Sequence, residues 1–410
     1  MKFENYNIEP QLKKNIQTLG YKKPTDIQFK AIPPILKGED VMAIAQTGTG
    51  KTAAFAIPVL HLLSQNLSVG AEKKIRCIVM APTHELAKQI TGVFEHIGEN
   101  TKIRCFCIHG GVEQDPQIAK LEYGIDILVA TPGRVFDLVS QGHIKLDAVE
   151  ILILDEADHM LDLGFIKDIR DLIKFLPNKR QTLFFSATLN DKIKKLAYSL
   201  VRNPIRIQIS PKDPVAKNIE HFVAFIEMDD KRFFLERLIL ENPQSKLLVF
   251  VRTKIRAERV CKALERANLP AATLHSGKLE KDRAQTMSEF RNGVTKVLIA
   301  SDISARGIDI PDVDFVVNYD LPEQEENYVH RVGRTGRGTK KGQAYSFCAP
   351  EEKLLLMEIE EFLGKHIQVL TISRKNYTAT LELADEKESD WRSLLNDAEK
   401  AAVKVWKKKK

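Results

Sequence analysis

The residues with the most specific chemistry form a glycine-containing segment, Ala45–Thr52 (AQTGTGKT). It follows the apolar stretch 41–44 and precedes a helical pattern over residues 53–63, an order typical of a phosphate-binding loop. Glycines let backbone N–H groups turn around phosphate oxygens, and the helix adds partial positive charge at its N-terminus. We expect Lys51 to reach the β- and γ-phosphates and Thr52 to bind Mg²⁺, with further nucleotide contacts from Thr47, Gly48, Thr49 and Gly50.

A second polar group, Asp155–Asp158, follows the apolar run 151–154. An acid at the carboxyl end of a buried parallel strand faces the ligand crevice of an α/β domain. We expect Asp155 to hold Mg²⁺, partly through water, and Glu156 to orient and deprotonate the attacking water. Together with the phosphate-binding loop, the acidic segment predicts an enzyme that hydrolyses ATP, which is an acid anhydride.

Base recognition is predicted for the segment Gly20–Gln28 (GYKKPTDIQ). A glutamine amide both donates and accepts hydrogen bonds, so Gln28 suits the edge of adenine and favours ATP over GTP. Tyr21 and Thr25 are expected to line the same site. Phe3 is either an aromatic ring that stacks on the adenine or a core residue, and the sequence leaves both open.

The composition is that of a multidomain globular protein. The 410 residues are 43% hydrophobic and 29% charged, so two or three domains are expected. The net charge of +7 permits a polyanionic partner without requiring one. The five cysteines include no CxxC pair, which argues against a zinc knuckle or a redox dithiol and fits reduced thiols in a cytosol.

Targeting and membrane signals are not predicted. The start, Met1–Asn5, is polar and lacks the apolar core of a signal peptide. No apolar run approaches the roughly 18 residues of a membrane span. We therefore expect a cytoplasmic protein with no membrane partner.

Short, continuously apolar runs alternate with helical patterns along most of the chain. Such runs suggest parallel strands buried on both faces, and their alternation with helices suggests βαβ units in two doubly wound α/β domains. The predicted strands are 41–45, 75–80, 125–130, 151–154 and 181–185 in the first half, and 246–251, 272–275, 296–300, 315–319 and 344–348 in the second.

Two prolines interrupt this pattern near residues 210–216 and suggest a linker. The predicted domains are residues 1–209 and 218–366, with the linker at 210–217 and a C-terminal extension at 367–410. Apolar residues at helical spacing from Trp391 to Trp406, followed by Lys407–Lys410, favour an amphipathic helix packed on the second domain. An auxiliary nucleic-acid-binding arm is the alternative.

The chain resembles the DEAD-box ATP-dependent RNA helicases over roughly residues 3–350. Many short motifs in the family's order carry this resemblance, which makes a chance match improbable. These motifs are Gln28, Ala45–Thr52, Pro82–Ala87, Gly110–Gly111, Thr131–Arg134, Asp155–Asp158, Ser186–Thr188, Ser301–Asp302, Ala305–Asp309 and His330–Arg337.

The resemblance implies two tandem RecA-like domains on a flexible linker that close together on ATP and single-stranded RNA. The resemblance further implies that Arg334 and Arg337 are arginine fingers that touch the γ-phosphate, and that Gly307 and Asp309 contact the nucleotide and its ribose. The residues implied to link nucleotide state to domain closure are Asp158, Ser186, Thr188 and His330.

The resemblance also implies an RNA path over both domains. In the first domain it consists of Pro82, Thr83, His84, Gly111, Thr131, Gly133 and Arg134, and in the second of Arg252, Thr253, Gly277, Arg283 and Ser301. Small residues, backbone amides and arginines suit a sugar–phosphate chain, so binding is expected to be independent of base sequence. A preference for RNA over DNA would come from contacts to 2′-hydroxyl groups.

Several positions depart from the family pattern along this RNA path. His84 stands where an arginine is usual, Glu280 where a glutamine is usual, Ser276 where a glycine is usual, and Ser301 where a threonine is usual. Histidine is shorter than arginine and largely neutral at pH 7. These departures affect the expected RNA affinity more than the expected ATP hydrolysis.

The predicted activity is RNA-dependent ATP hydrolysis that separates short RNA duplexes by local clamping, with ATP and Mg²⁺ as cofactors. A DNA helicase or translocase on the same architecture is the first alternative, and an ATP-gated RNA clamp that nucleates a larger complex is the second. A small-molecule kinase has no ready use for the acidic strand end and the arginine-rich turn. The sequence leaves the physiological RNA open, with ribosomal or RNA-decay proteins as conceivable partners.

Overall fold

The computed structural model describes residues 2–46, 48–65, 74–189, 191–209, 215, 218–302, 313–336 and 341–382. These residues form two compact units, one containing the described residues up to 209 and the other those from 215 onward. Each unit has its own seven-stranded sheet. Among the described residues, no helix combines the length and the apolar character needed to cross a bilayer.

The first unit is built on a parallel sheet with strand order β3-β4-β2-β5-β6-β1-β7. Its strands are β1 Val41–Ile44, β2 Cys77–Met80, β3 Cys105–Ile108, β4 Ile127–Ala130, β5 Ile151–Leu154, β6 Gln181–Ser186 and β7 Ile205–Gln208. Its α-helices are α1 Pro10–Thr18, α2 Asp26–Leu36, α3 Lys51–Gln65, α4 His84–Ile97, α5 Asp115–Glu122, α6 Pro132–Ser140, α7 Ala157–Asp162, α8 Ile166–Ile173 and α9 Asp191–Leu200, and Phe3–Asn5 forms a short 3-10 helix.

The second unit repeats this architecture with strand order β10-β11-β9-β12-β13-β8-β14, again in parallel. Its strands are β8 Ile219–Phe225, β9 Leu247–Val251, β10 Ala272–Leu274, β11 Val297–Ser301, β12 Phe315–Asn318, β13 Gly342–Cys348 and β14 Gln368–Val369. Its helices are α10 Lys231–Glu241, α11 Lys254–Arg266, α12 Glu280–Arg291, α13 Glu325–Val332 and α14 Lys353–Leu363, with a 3-10 turn at Pro350–Glu352 and a further helix over residues 374–382.

Two parallel, helix-covered sheets confirm the predicted fold class of tandem RecA-like domains. All ten predicted strands are present, with ends shifted by at most two residues. The sequence pattern missed β3, β7, β8 and β14. Of these, β3, β7 and β14 are sheet edges and β8 is next to an edge, so their side chains are partly exposed and break the continuous apolar pattern.

Apolar side chains cover both faces of the first sheet. One cluster packs helices α1–α4 against one face, and a second packs helices α6–α9 against the other. This double coverage places the sheet in the interior and leaves the loops at the carboxyl ends of its strands at one edge. The sequence motifs lie at that edge.

The C-terminal part of the described chain joins the second unit. Strand β14 pairs with β8, and Tyr377 in the helix 374–382 packs its ring on Phe234 at 4.9 Å between centroids. The Tyr377 hydroxyl donates to Asp230 Oδ2 at 2.7 Å and accepts from the Glu227 amide at 3.1 Å. The segment with Trp391 and the final lysines lies outside the described residues, as does most of the predicted linker.

Candidate active site and nucleic-acid interface

The phosphate loop joins β1 to α3, and α3 begins at Lys51. Gly48 and Gly50 have φ of 80° and 91°, a left-handed backbone that favours glycine. A Cβ on Gly50 would lie 2.5 Å from Nε2 of Gln28, so the close approach of these two residues also requires glycine. Thr49 donates its hydroxyl to the Gln46 carbonyl at 2.7 Å, whereas Thr47 lies outside the described residues.

Lys51 is a buried cation at the start of α3. The residue is 6% exposed, and its Nζ has no hydrogen-bond partner among the described residues. An ammonium group buried in this way is costly unless an anion faces it. The first residues of α3 add free N–H groups and partial positive charge at the same place. This combination suits phosphate oxygens.

Asp155 and Glu156 follow directly from β5 and are both buried. Burial raises the pKa of Asp155 to about 7, and the charge of Lys51 opposes this increase. Asp155 Oδ1 accepts from the Glu156 amide at 3.0 Å. Glu156 has φ of 50°, a conformation that costs a non-glycine residue of order 1–3 kcal/mol and is typical of functional sites.

The donor set at this edge fits a Mg²⁺ ion. The ion prefers carboxylate, hydroxyl and water oxygens, and Asp155 and Thr52 supply the first two. A divalent cation beside Asp155 would offset the cost of burying its carboxylate, which is the physical cause of its raised pKa. Across the described residues no group of three or more potential metal ligands forms a closed cage. An ion held by one or two carboxylates plus phosphate oxygens needs no such cage.

Asp158 connects the acidic segment to the end of β6. Its Oδ2 accepts from the amides of Ala187 and Thr188 at 3.1 and 3.0 Å and from the Thr188 hydroxyl at 3.2 Å. Ser186 is fully buried at the end of β6, and its hydroxyl has no hydrogen-bond partner within the described chain. The structure therefore brings together three of the four residues implied to link nucleotide state to closure.

Gln28 is 2% exposed and ties the phosphate loop to the start of α2. Its Nε2 donates to the Gly50 carbonyl at 3.1 Å, and its Oε1 accepts from the Thr25 amide at 3.0 Å. Phe3 is 4% exposed and packs on Tyr6 and Tyr21 at 6.1 and 6.0 Å, so it is a core residue here. Stacking of Phe3 on adenine stays a prediction.

The arginine-rich turn begins with an arginine that the sequence did not single out. Arg331 is 1% exposed and forms a two-pronged ion pair with Asp302 at 2.5 and 2.7 Å. It also donates to the Asp320 carbonyl at 2.7 Å, so it holds β11, β12 and α13 together. Arg334 is 5% exposed, and its Nε donates to the His330 carbonyl at 3.3 Å. Arg337, Gly307 and Asp309 lie outside the described residues.

The predicted RNA residues of the first unit follow β2, β3 and β4, which are neighbouring strands. Pro82 is buried, and the Thr83 side chain accepts from the Leu86 amide at the start of α4. The His84 ring stacks on His109 at 4.8 Å between centroids. The remaining positions line the same edge. Gly111 has φ of 80°, and Thr131 precedes α6. A Cβ on Gly133 would meet no other part of the domain within 4 Å, and Arg134 donates to the Val112 carbonyl at 2.8 Å.

The predicted RNA residues of the second unit follow β9, β10 and β11, which are also neighbours. Arg252 is exposed, and Nη2 of its guanidinium lies 3.1 Å from Oε1 of Glu352, a buried residue that the sequence did not indicate. Thr253 accepts from the Arg256 amide at 3.2 Å at the start of α11. The other three positions are Gly277 after β10, Arg283 within α12 and Ser301 at the end of β11.

Two protein-family models match the chain. The DEAD/DEAH box helicase model matches residues 25–196, and the helicase conserved C-terminal domain model matches residues 230–339. A Bacillus subtilis protein named ATP-dependent RNA helicase DbpA is 38% identical over 394 residues, which cover 94% of this chain and 81% of the relative. A Shewanella oneidensis protein named ATP-dependent RNA helicase RhlB is 39% identical over 377 residues, with coverages of 91% and 86%.

Solved structures of RNA-bound proteins are also similar to this chain. The structure of S. cerevisiae Dbp5 bound to RNA and ADP BeF3 matches with a TM-score of 0.81 at 30% identity, covering 94% of this chain and 99% of the other. The structure of DEAD-box helicase Mss116 bound to ssRNA and UDP-BeF matches with a TM-score of 0.82 at 27% identity, with coverages of 93% and 81%.

Proposed function

Because this chain belongs to the DEAD/DEAH box helicase family and is an ATP-dependent RNA helicase, we propose that its two domains share one ATP-hydrolysing site. The first domain supplies the phosphate loop, Asp155 and Glu156, and the second supplies Arg334 and Arg337. The observation that carries the first domain's part of this proposal is the buried Lys51 Nζ, which lacks a hydrogen-bond partner in the described chain and lies in the field of the Asp155 carboxylate. The second domain's part is proposed from the family to which the chain belongs.

Mg²⁺ is proposed as the metal cofactor of this site, with Thr52 and Asp155 as its protein contacts. When bound, the ion neutralises charge that develops on the phosphates. Lys51 and the N-terminus of α3 hold the same phosphates, and Glu156 is placed to orient the attacking water. Gln28 holds the loop through the Gly50 carbonyl, and adenine recognition is proposed for Gln28 together with Tyr21 and Thr25.

RNA is proposed to bind across the carboxyl-end loops of both sheets. In each domain the predicted contacts follow three adjacent strands, so they form one continuous edge per domain. Backbone amides, hydroxyls and the guanidinium groups of Arg134, Arg252 and Arg283 suit phosphates and sugars, which carry no base sequence. A single strand held against both edges cannot remain paired, so short duplexes would open locally.

Asp158 is proposed to transmit nucleotide state to domain closure through its three hydrogen bonds to Ala187 and Thr188. Ser186 and His330 are proposed to act with it. Reopening after hydrolysis and phosphate release would then complete one clamping cycle. A cytoplasmic location fits the five free cysteines. Ribosomal or RNA-decay proteins are proposed partners.

The experiment that tests the proposed function measures ATP turnover with single-stranded RNA and with single-stranded DNA of the same sequence, alongside unwinding of a short RNA duplex. RNA-stimulated turnover with ATP-dependent unwinding is expected. Equal stimulation by DNA would favour a DNA translocase. RNA stimulation without strand separation would favour an ATP-gated clamp.

Lys51→Ala is expected to weaken ATP binding by about 10- to 100-fold, the range for losing a hydrogen bond to a charged group. The reason is that Lys51 is the buried cation at the start of α3. Titration with a fluorescent ATP analogue measures the change, and Lys37→Ala, an exposed lysine after α2, serves as the control. Unchanged ATP affinity in Lys51→Ala would contradict the proposed phosphate site.

His84→Arg is expected to reduce the pH sensitivity of RNA binding. An imidazole gains positive charge as the pH falls toward 6, whereas a guanidinium is charged throughout this range. The His84 ring stacks on His109, so both imidazoles lie beside the proposed RNA path. RNA titrations at pH 6 and pH 8 check this, and equal pH dependence in wild type and His84→Arg would reject it.

A further inference from the structure

A hydrogen-bonded relay connects residues beside the carboxyl-end loops of the second domain that carry the proposed RNA contacts, here called the RNA edge. Oε1 of Glu258 lies 2.7 Å from Nε2 of His275 and accepts from the Thr273 hydroxyl at 2.8 Å. Nδ1 of His275 lies 3.2 Å from the amide nitrogen of Gly277. His275 is 6% exposed and Thr273 is 1% exposed, whereas the Glu258 side chain is 43% exposed, so the relay runs from the domain interior to its surface.

The tautomer of His275 follows from these contacts. A backbone N–H can only donate, so Nδ1 must accept from Gly277, and the ring proton therefore lies on Nε2. Nε2–H then donates to Glu258, and the carboxylate fixes both the tautomer and the ring orientation. The hydrogen bond from His275 holds the pKa of Glu258 below its usual value, so the acceptor is charged.

The relay joins two loops that carry proposed RNA contacts. Glu258 lies one turn into α11, which begins directly after Thr253, and His275 precedes Gly277 in the loop after β10. The Lys278 amide also donates to the His275 carbonyl at 3.2 Å, so the loop is anchored to this histidine twice. A Cβ on Gly277 would meet His275 Nδ1 at 3.2 Å and Lys254 Cδ at 3.6 Å, which shows how closely the two loops approach.

We propose that Glu258 and His275 are positioning residues that fix the Gly277 loop against the Thr253 loop for RNA binding. Neither side chain touches RNA in this proposal, which rests on the RNA edge assigned under the proposed function. The relay sets the spacing between the two loops before RNA arrives. Its loss therefore weakens RNA binding without altering the ATP-hydrolysing residues.

The test measures the RNA concentration that gives half-maximal ATP turnover, the turnover at saturating RNA and the melting temperature of the full-length chain. Glu258→Ala is expected to raise the half-maximal RNA concentration about three- to tenfold, as for a lost hydrogen bond, and to leave saturated turnover unchanged. Glu258→Gln keeps an amide oxygen that accepts from Nε2–H and should match wild type. Glu265→Ala removes an exposed carboxylate from the same helix and is the matched control.

Two substitutions of His275 test its hydrogen bonds to Glu258 and to Gly277 separately. His275→Asn places an amide oxygen near the position of Nδ1 and keeps an acceptor for Gly277, whereas His275→Gln reaches toward Glu258 and leaves Gly277 without one. We expect His275→Gln to weaken RNA binding more than His275→Asn. Equal losses in both variants, together with equally lowered melting temperatures, would indicate a purely structural histidine and overturn the proposal.

Arg283→Ala separates failure of this inference from failure of the proposed RNA edge. Wild-type RNA affinity in Glu258→Ala, with weakened affinity in Arg283→Ala, would reject the relay and retain the RNA edge. Wild-type affinity in both variants would reject the RNA edge and the relay with it. Weakened affinity in both, with Glu258→Gln at wild-type affinity, is the result that the relay predicts.

Discussion

Glu156→Gln is expected to lower RNA-stimulated ATP turnover by about 10²- to 10⁴-fold, the range for loss of a general base. The substitution preserves size and shape, so ATP and RNA should still bind. The residue is buried at the end of β5. Its left-handed backbone conformation sets the direction in which the side chain leaves the backbone. Single-turnover hydrolysis with RNA present measures the chemical step directly.

The control for this substitution is Asp162→Asn, which alters an exposed carboxylate at the far end of α7. It should leave hydrolysis within about twofold of wild type, as expected for a surface change. The role proposed for Glu156 would be wrong if Glu156→Gln hydrolysed ATP at the wild-type rate. Trapping of ATP and RNA in a long-lived complex by Glu156→Gln would support it, because the cycle would stop before phosphate release.

Arg337→Ala is expected to lower RNA-stimulated ATP turnover by about a thousandfold or more, the range for an arginine finger. ATP binding should persist, since the phosphate loop and Lys51 lie in the first domain. The same loss is expected for Arg334→Ala. Steady-state turnover at saturating ATP and RNA measures the effect, with ATP affinity determined separately.

Arg337→Lys is the matched variant, because it keeps the charge and removes the planar guanidinium. Its turnover should fall between those of wild type and Arg337→Ala. Arg331→Ala should behave differently, because Arg331 is buried against Asp302 and its loss would lower the melting temperature of the second domain. Normal turnover by Arg337→Ala with RNA present would contradict the shared site.

The central strands could be predicted from the sequence because each is buried on both faces and therefore continuously apolar. The edge strand β7 could not, since only Ile207 of its four residues is buried. The position of Lys51 was predictable from the loop between a strand and a helix, and that of Glu156 from the end of a strand. A local pattern of this kind indicates both the secondary-structure element and the position of the polar side chain at its end.

Ion pairs and hydrogen bonds between residues far apart in the sequence were not predictable. Arg331 and its partner Asp302 are 29 residues apart, and Arg252 and Glu352 are 100 residues apart. The sequence shows an arginine-rich turn, but only the folded β11–β13 region distinguishes Arg331, which is buried and paired, from its neighbours. The same holds for Glu258 and His275, whose hydrogen bond depends on how α11 packs beside β10.

The most direct test of the proposed shared site compares ATP turnover by residues 1–209 with that of the full-length chain at saturating RNA. This fragment contains its complete sheet and both apolar clusters that cover it, so it is expected to fold and to bind ATP. We predict that RNA does not stimulate its turnover, because the arginine-rich turn is missing. RNA-stimulated turnover by the fragment at the full-length rate would contradict the account.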